Sequence, residues 1–380
     1  MTTAIDCHAG GLDRTAARRF VDDHVIGAAD AWDRDQQIPR AVLEQAAELG
    51  VFAAAVPVEH GGRSVSMRTL GDVHEELGRG CSSLRSLATV HTMVVWALGR
   101  WGSEDQRRRW LPALAPGETL AAFCLSEPEA GSDTTAIEAT AEPRGEGWTI
   151  NGTKTWITGG LLADLFLVFA RTPTDGVLPF LVERGPGVLT APLPDMLGTR
   201  ASALARLTLT DVEVGPDALL GPSRFAPGLV MSSALDIGRY SVACGCVGIL
   251  QACLEASVRY SRTRKVGGSL LSEHQLTQQK IANMVTATTA GRALCERAGV
   301  LKDARDEATV MATWVAKYYS SRAAAQAAAD AVQLHGAVGC SPAHPVARYY
   351  RDAKVMEIIE GSTELQQITI AVSAAREVPA

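Results

Sequence analysis

The sequence predicts an α+β chain laid out as helices, then a β domain, then helices. Three observations carry this. Residues 11–115 place apolar side chains at helical spacing, and the same spacing returns from Phe225 almost to the end. Between them, from about Gly117, short β-rich runs are separated by Gly, Pro and Asp. A chain of 380 residues should hold two or three domains at roughly 100–200 residues each. We place these at 1–117 (N-terminal, helical), 118–223 (middle, β) and 224–380 (C-terminal, helical).

In the first block, Val42, Leu43, Ala46, Ala47 and Leu49 form one apolar stripe, and Gly50 supplies a helix stop. Residues 57–62 read as a turn-rich break. A helix resumes near Met67 and runs to about Leu77, and another spans roughly Leu84 to Leu98. In the second block, strands are expected at 148–150, 165–170, 178–182 and 205–210, with Asn151-Gly152 as a turn between strands. The third block predicts long helices at 227–262, 271–300 and 307–337, and a shorter one after Thr363. The alanine-rich tract 321–332 is interrupted by Arg322, Gln326 and Asp330, so it reads as a buried helix and not as a membrane span.

Composition narrows the function classes. Hydrophobic residues make up 47%, charged residues 21%, and the formal charge is -6, with no basic face of the kind nucleic acid requires. No stretch approaches the roughly 20 apolar residues of a membrane span, and the first residues lack an apolar leader core, so a cytoplasmic protein is expected. Eight cysteines (7, 81, 124, 244, 246, 253, 295, 340) match neither a zinc site nor a disulfide framework. They read as small buried residues between helices, and no metal site is expected. There is no G-x-G-x-x-G between a strand and a helix and no Walker A loop. A redox group would have to be held another way.

Three segments can carry chemistry. In Phe123–Asp133 (FCLSEPEAGSD), small residues let backbone approach a flat ligand, and amides and hydroxyls can bond its polar edges. An ordinary Gly/Ser/Asp loop fits the same string. In 152–160 (GTKTWITGG), Trp156 and Thr158 alternate and can share a strand face, as a stacking ring beside a hydroxyl or as a core tryptophan at a sheet edge. In Arg351–Glu364 (RDAKVMEIIEGSTE), Glu360 follows two isoleucines and precedes Gly361. Burial there would raise its proton affinity and suit a general base for a carbon acid. By periodicity alone, Glu357 and Glu364 are equally available.

Together, in this order and over essentially the full chain, these motifs resemble the acyl-CoA dehydrogenase family. S-E-P-x-A-G-S-D is similar to its first signature, with Ser126 where Thr is commoner, and R-D-A-K followed by I-x-E-G-S-T-E to its second. The resemblance implies an N-terminal helical domain, a β-barrel-like middle domain and a C-terminal four-helix bundle, with FAD between the last two. It implies that Phe123, Leu125, Ser126, Gly131 and Ser132 line flavin and thioester, and that Trp156 and Thr158 lie against the flavin ring. Arg264 and Gln275 match residues that reach the flavin of a partner subunit, so a homo-oligomer is implied. Gln333 and Gly336 match the segment around the pyrophosphate and adenine, and Ser362 and Glu364 the cofactor contacts after the catalytic carboxylate. Glu360 matches the usual catalytic base. Some branches carry the base on a helix of the third block instead; the matching position is Gly238, which cannot serve. Ser132, Asp236, Arg239, Glu360 and Gly361 are the implied substrate contacts. An electron acceptor for reduced FAD is implied as a partner.

The chain departs from the family at Val266, where Phe is usual before Gly267, and at Ala337, where a second Gly is usual. The strings 80–86, 241–250 and 351–362 look like those of dehydrogenases that make hydroxymalonyl- or methoxymalonyl-acyl carrier protein, a polyketide extender unit. This favours a three-carbon oxygenated acyl group on a carrier protein, steered by basic clusters at Arg107–Arg109 and 259–265. The alternative is ordinary short-chain acyl-CoA desaturation.

Overall fold

The computed structural model describes residues 11–221 and 227–377. Cys7, and Pro222 and Phe225 at the border of the second and third blocks, lie outside them. The first block forms α1 (Arg14–Phe20, continued by a π-helical turn Val21–Val25), α2 (Ala29–Asp35), α3 (Arg40–Leu49), α4 (Met67–Gly80), α5 (Ser82–Trp101) and α6 (Glu104–Leu114). The stripe on α3 buries Leu43 and Ala46, and Gly50 ends the helix at φ +92°. Ser66 caps α4 and Ser103 caps α6, the latter through a reciprocal capping box with Gln106.

The middle block contributes β1 (Ala121–Cys124), β2 (Thr140–Arg144), β3 (Gly147–Ile157), β4 (Leu165–Thr172), β5 (Gly176–Glu183), β6 (Val188–Pro192) and β7 (Ala205–Val214). They form one curled sheet in the order β1-β4-β2-β3-β7-β6, with β5 antiparallel on β4. β4 is an almost unbroken apolar run because both its faces are covered. β7 alternates, since one face meets water. The turn expected at Asn151-Gly152 is not a turn. β3 runs straight through it, and the register on β7 slips there, with Gly152 at φ +143°. The extra residue is absorbed as a bulge. The reversal between β2 and β3 falls at Gly145, at φ +59°.

The third block holds α7 (Pro227–Ser261), a small hairpin of β8 (Lys265–Val266) and β9 (Ser269–Leu270), then α8 (Gln275–Asp303), α9 (Thr309–His335), α10 (Pro345–Met356) and α11 (Thr363–Glu377). The fold is α+β: a helical bundle, a curled half-barrel sheet and a second helix bundle. Helix α7 is the axis, packing on α4, α5, α8 and α9. By length and apolarity α7 would cross a membrane, which the sequence reading overlooked, but 78% of its most apolar window is buried inside the protein. The small residues of 241–250 explain its close packing. A Cβ on Gly78 of α4 would lie 2.6 Å from the Gly245 Cα of α7, so the two backbones touch. Cys244, Cys246 and Cys253 on α7 and Cys295 on α8 are free and buried in these helix contacts, while Cys340 is exposed.

Candidate active site at the junction of the helix bundle and the sheet

The motif R-D-A-K fixes α10 in place. Arg351 pairs with Asp33 and donates to the Leu197 carbonyl at 2.9 Å, and the Asp352 carboxylate accepts the Thr199 amide at 2.7 Å. Beyond Met356 the chain turns a sharp corner. Glu360 sits at φ +55° and Gly361 at φ +95° before α11 begins. A left-handed glutamate costs on the order of 1–3 kcal/mol and persists only when its surroundings hold it. Here three side chains do. Arg239 Nε donates to the Glu360 carbonyl at 3.1 Å. Lys317 Nζ and Gln366 Nε2 donate to the Gly361 carbonyl at 2.8 and 2.7 Å.

The corner turns the Glu360 side chain inward over α7, above Gly238 and beside Met93 of α5. Its Oε2 is buried with no hydrogen-bond partner, although the residue as a whole is partly exposed. Burial pushes the carboxyl pKa above its ordinary value, and the nearby charges of Arg239, Lys317 and Arg85 only partly oppose this. Glu357 instead pairs with Lys354 at 3.0 Å, and Glu364 is exposed in the first turn of α11. Of the three carboxylates left open by spacing, Glu360 alone has a buried, unpartnered oxygen.

The other two motifs meet at the sheet edge. The Thr155 amide donates to the Ser126 carbonyl at 2.9 Å, stitching the 123–133 loop to the end of β3. Beneath, the fully buried Lys154 donates to Glu127 at 2.6 Å and to the Leu125 carbonyl at 3.2 Å. Phe123 and Leu125 are buried, Ser126 half-buried, and Gly131 and Ser132 exposed. Trp156 adopts φ +59° at the second register slip, where β3 itself carries the extra residue, and the residue is 53% exposed. Thr158 lies past the strand end in a turn. The expected alternation of Trp156 and Thr158 on one strand face is therefore corrected: the bulge, not the pleat, aims the tryptophan. An exposed aromatic ring at the sheet edge fits packing against a flat cofactor such as flavin.

The remaining expected contacts are dispersed. Arg264 and Gln275 are exposed on either side of the β8–β9 hairpin, and no hydrogen bond or ion pair among the described residues joins them to the Trp156 loop. Gln333 and Gly336 are exposed at the end of α9, with Gly336 at φ +60°. Ser362 accepts the Leu365 amide at 3.4 Å as α11 starts. Asp236 pairs with Lys302, leaving its Oδ1 buried and unpartnered. Arg239 is buried, stacking on Trp314 with its guanidinium carbon 4.1 Å from the ring centroid. Lys317, Gln366, Trp314, Arg85, Glu127 and Lys154 were not singled out by sequence. A lysine at 317 among the buried Thr313, Trp314, Ala316, Ser320 and Ser321 was the available signal.

A helix–sheet–helix chain with a buried, unpartnered glutamate oxygen and an exposed tryptophan at the sheet edge fits a flavin-dependent oxidoreductase acting on CH–CH donors. The chain belongs to the acyl-CoA dehydrogenase family. It matches that family's N-terminal domain over residues 13–118, its middle domain over 122–212 and its C-terminal domain over 228–375. It is 34% identical to the mitochondrial short-chain specific acyl-CoA dehydrogenase of Rattus norvegicus, over 94% of this chain and 88% of that one. The structure of FkbI, for biosynthesis of the methoxymalonyl extender unit of the Fk520 polyketide, is similar at 36% identity and TM-score 0.88, covering 96% of this chain and 99% of that one. So is the glutaryl-CoA dehydrogenase of Mycobacterium smegmatis in complex with FADH2, at 30% identity and TM-score 0.90, covering 97% and 94%. FAD is the cofactor of this family and of this chain.

Proposed function

We propose that the enzyme removes the α proton and β hydride of a short acyl group held as a CoA thioester, with Glu360 as the base. The observation that carries this is the buried, unpartnered Glu360 Oε2, a proton acceptor with no competing partner. The Glu360 amide donates to no group among the described residues, so it can polarise a thioester carbonyl. Bound FAD supplies the two-electron redox chemistry. Phe123, Leu125, Ser126, Gly131, Ser132, Trp156 and Thr158 would hold it in one subunit, with Ser362 and Glu364 beside the base. Arg264, Gln275, Gln333 and Gly336 would complete the site in a cytoplasmic homo-oligomer. Ser132, Asp236, Arg239 and Gly361 would border the thioester. A flavin-based electron acceptor would take the electrons onward. The short-chain relative supports the acyl size.

A second reading is supported by the FkbI likeness: a three-carbon oxygenated acyl group on a carrier protein. For an acidic carrier protein, Arg107–Arg109 offers little. Arg107 and Arg108 pair with Glu104 at 3.1 and 3.0 Å, and Arg109 pairs with Glu183 and Asp217. Of the second cluster, Arg262, Arg264 and Lys265 are exposed and make no ion pair among the described residues. Anaerobic flavin bleaching decides between the readings. Fast bleaching by butyryl-CoA supports the first; bleaching only by oxygenated three-carbon thioesters on carrier protein replaces it with the second.

A further inference from the structure

Lys317 lies on α9 with no part of it exposed, yet among the described residues it has no carboxylate partner within ion-pair distance. Taking an ammonium out of water costs several kcal/mol unless something in the fold compensates. Among the described residues its ammonium makes one hydrogen bond, the 2.8 Å contact to the Gly361 carbonyl, which Gln366 shares. One turn earlier on the same helix, Trp314 carries Arg239, whose Nε holds the preceding carbonyl, that of Glu360. Two cations thus grip two consecutive carbonyls of the one left-handed pair in the site. Drawing both oxygens toward α7 and α9 fixes the peptide planes and, with them, the direction of the Glu360 side chain.

We infer that Lys317 is a positioning residue for Glu360, which anchors the Glu360–Gly361 corner through the Gly361 carbonyl and places a positive charge beside the base at neutral pH. This rests on Glu360 being the base. The charged and titratable groups facing Lys317 are Cys246 and Arg239 of α7, Glu360, and Glu357 of the turn after α10. Those facing Glu360 are Arg239, Lys317 and Arg85 of α5. Burial, the largest effect, lowers the Lys317 pKa to about 8, against Cys246 and Glu360, which raise it. It therefore still carries its charge at neutral pH. Removing that charge leaves Glu360 with Arg239 and Arg85 alone, so its carboxyl must bind a proton more tightly. Activity that needs ionised Glu360 then begins at higher pH.

The test uses the FAD-loaded enzyme and reads the carboxyl band of Glu360 by infrared pH titration, assigned by its loss in Glu360→Gln. In Lys317→Met the midpoint should rise by about one unit. Butyryl-CoA, or the carrier-protein thioester if only that bleaches the parent, should reduce the flavin roughly 10- to 100-fold more slowly. Lys317→Arg should restore the midpoint. Gln366→Leu removes an anchor without a charge, so it should slow reduction and leave the midpoint in place. An unmoved midpoint in Lys317→Met of normal FAD content overturns the assignment. If that variant fails to fold, a Gln366→Leu protein with the parent's reduction rate overturns the anchoring role. Fast reduction in Glu360→Gln would instead overturn the base itself.

Discussion

The Glu360 carboxylate occupies the space that a side chain at Gly238 would need. A Cβ built on Gly238 would lie 2.7 Å from Glu360 Cδ and 2.9 Å from Met93 Sδ, closer than real Cβ atoms come. The proposed base and the helix position that could carry a base in its place converge on one volume, so only one of them can be filled. Gly238→Ala should push the carboxylate out of line. Misplacement by about 1 Å can cost about 10²-fold in rate, so flavin reduction should fall by roughly that factor while FAD content stays normal. Parent-like reduction by the variant would show that the carboxylate has room to spare.

Glu360→Gln should bind FAD and lose about 10²-fold or more in flavin reduction, since shape is kept and the titrating group removed. Stability should move the other way. The folded pKa is raised, so the folded state holds the proton more tightly than the unfolded chain. Stability from this group is present below the unfolded pKa and is lost as pH rises toward the folded value. At neutral pH the ionised group is therefore a burden, and the glutamine variant should melt at or above the parent temperature. A lower melting temperature at pH 7 with the parent's value at pH 4 would contradict this.

The positions of the helices were legible because their apolar stripes are long and their stops are glycines, as at Gly50. The register slips between β3 and β7 were not. Asn151-Gly152 carries the residue chemistry of a hairpin turn, and only pairing with β7 reveals that the strand continues. The same holds for the direction of Trp156, which a pleat cannot give and a bulge does. Among the carboxylates, spacing left Glu357, Glu360 and Glu364 equal, because the surroundings of Glu360 are set by residues such as Gly238 of α7 and Lys317 of α9, more than 40 residues away in sequence. For Lys317 the apolar and small neighbours on α9 signalled burial but not its role, because its partner is a backbone carbonyl, which has no residue type to recognise.

Lys154 and Glu127 should behave as a unit. Both are buried, and Glu127 also accepts the Glu138 and Ala139 amides at 2.7 and 3.1 Å. Removing one partner of a buried pair costs about 3–5 kcal/mol because a charge is left alone. Glu127→Gln or Lys154→Met should each lower the melting temperature and loosen FAD, since the pair ties the 123–133 loop to β3. The double variant should be less damaged than the sum of the singles. Additive losses in a double-mutant cycle would mean the two act separately.

Arg264 should serve the flavin of a neighbouring subunit, so the active enzyme should be at least a dimer by light scattering. Within its own chain it is exposed, and among the described residues it has no bond to the Trp156 loop. Under closed symmetry each subunit then completes the other's site. Complementation separates this from a contact within one chain. Arg264→Ala should lose FAD, and Glu360→Gln should keep FAD but react slowly. Unfolding and refolding the two together gives hybrids in about half of the dimers. If Arg264 acts across the interface, each hybrid carries one site with both defects and one with neither, so activity returns. If it acts within its own chain, every site in the hybrid keeps one defect. The measurement is flavin reduction of the mixed sample against each parent variant. Recovery places Arg264 at the partner's flavin, and a flat result in a sample shown to contain hybrids removes it from that role.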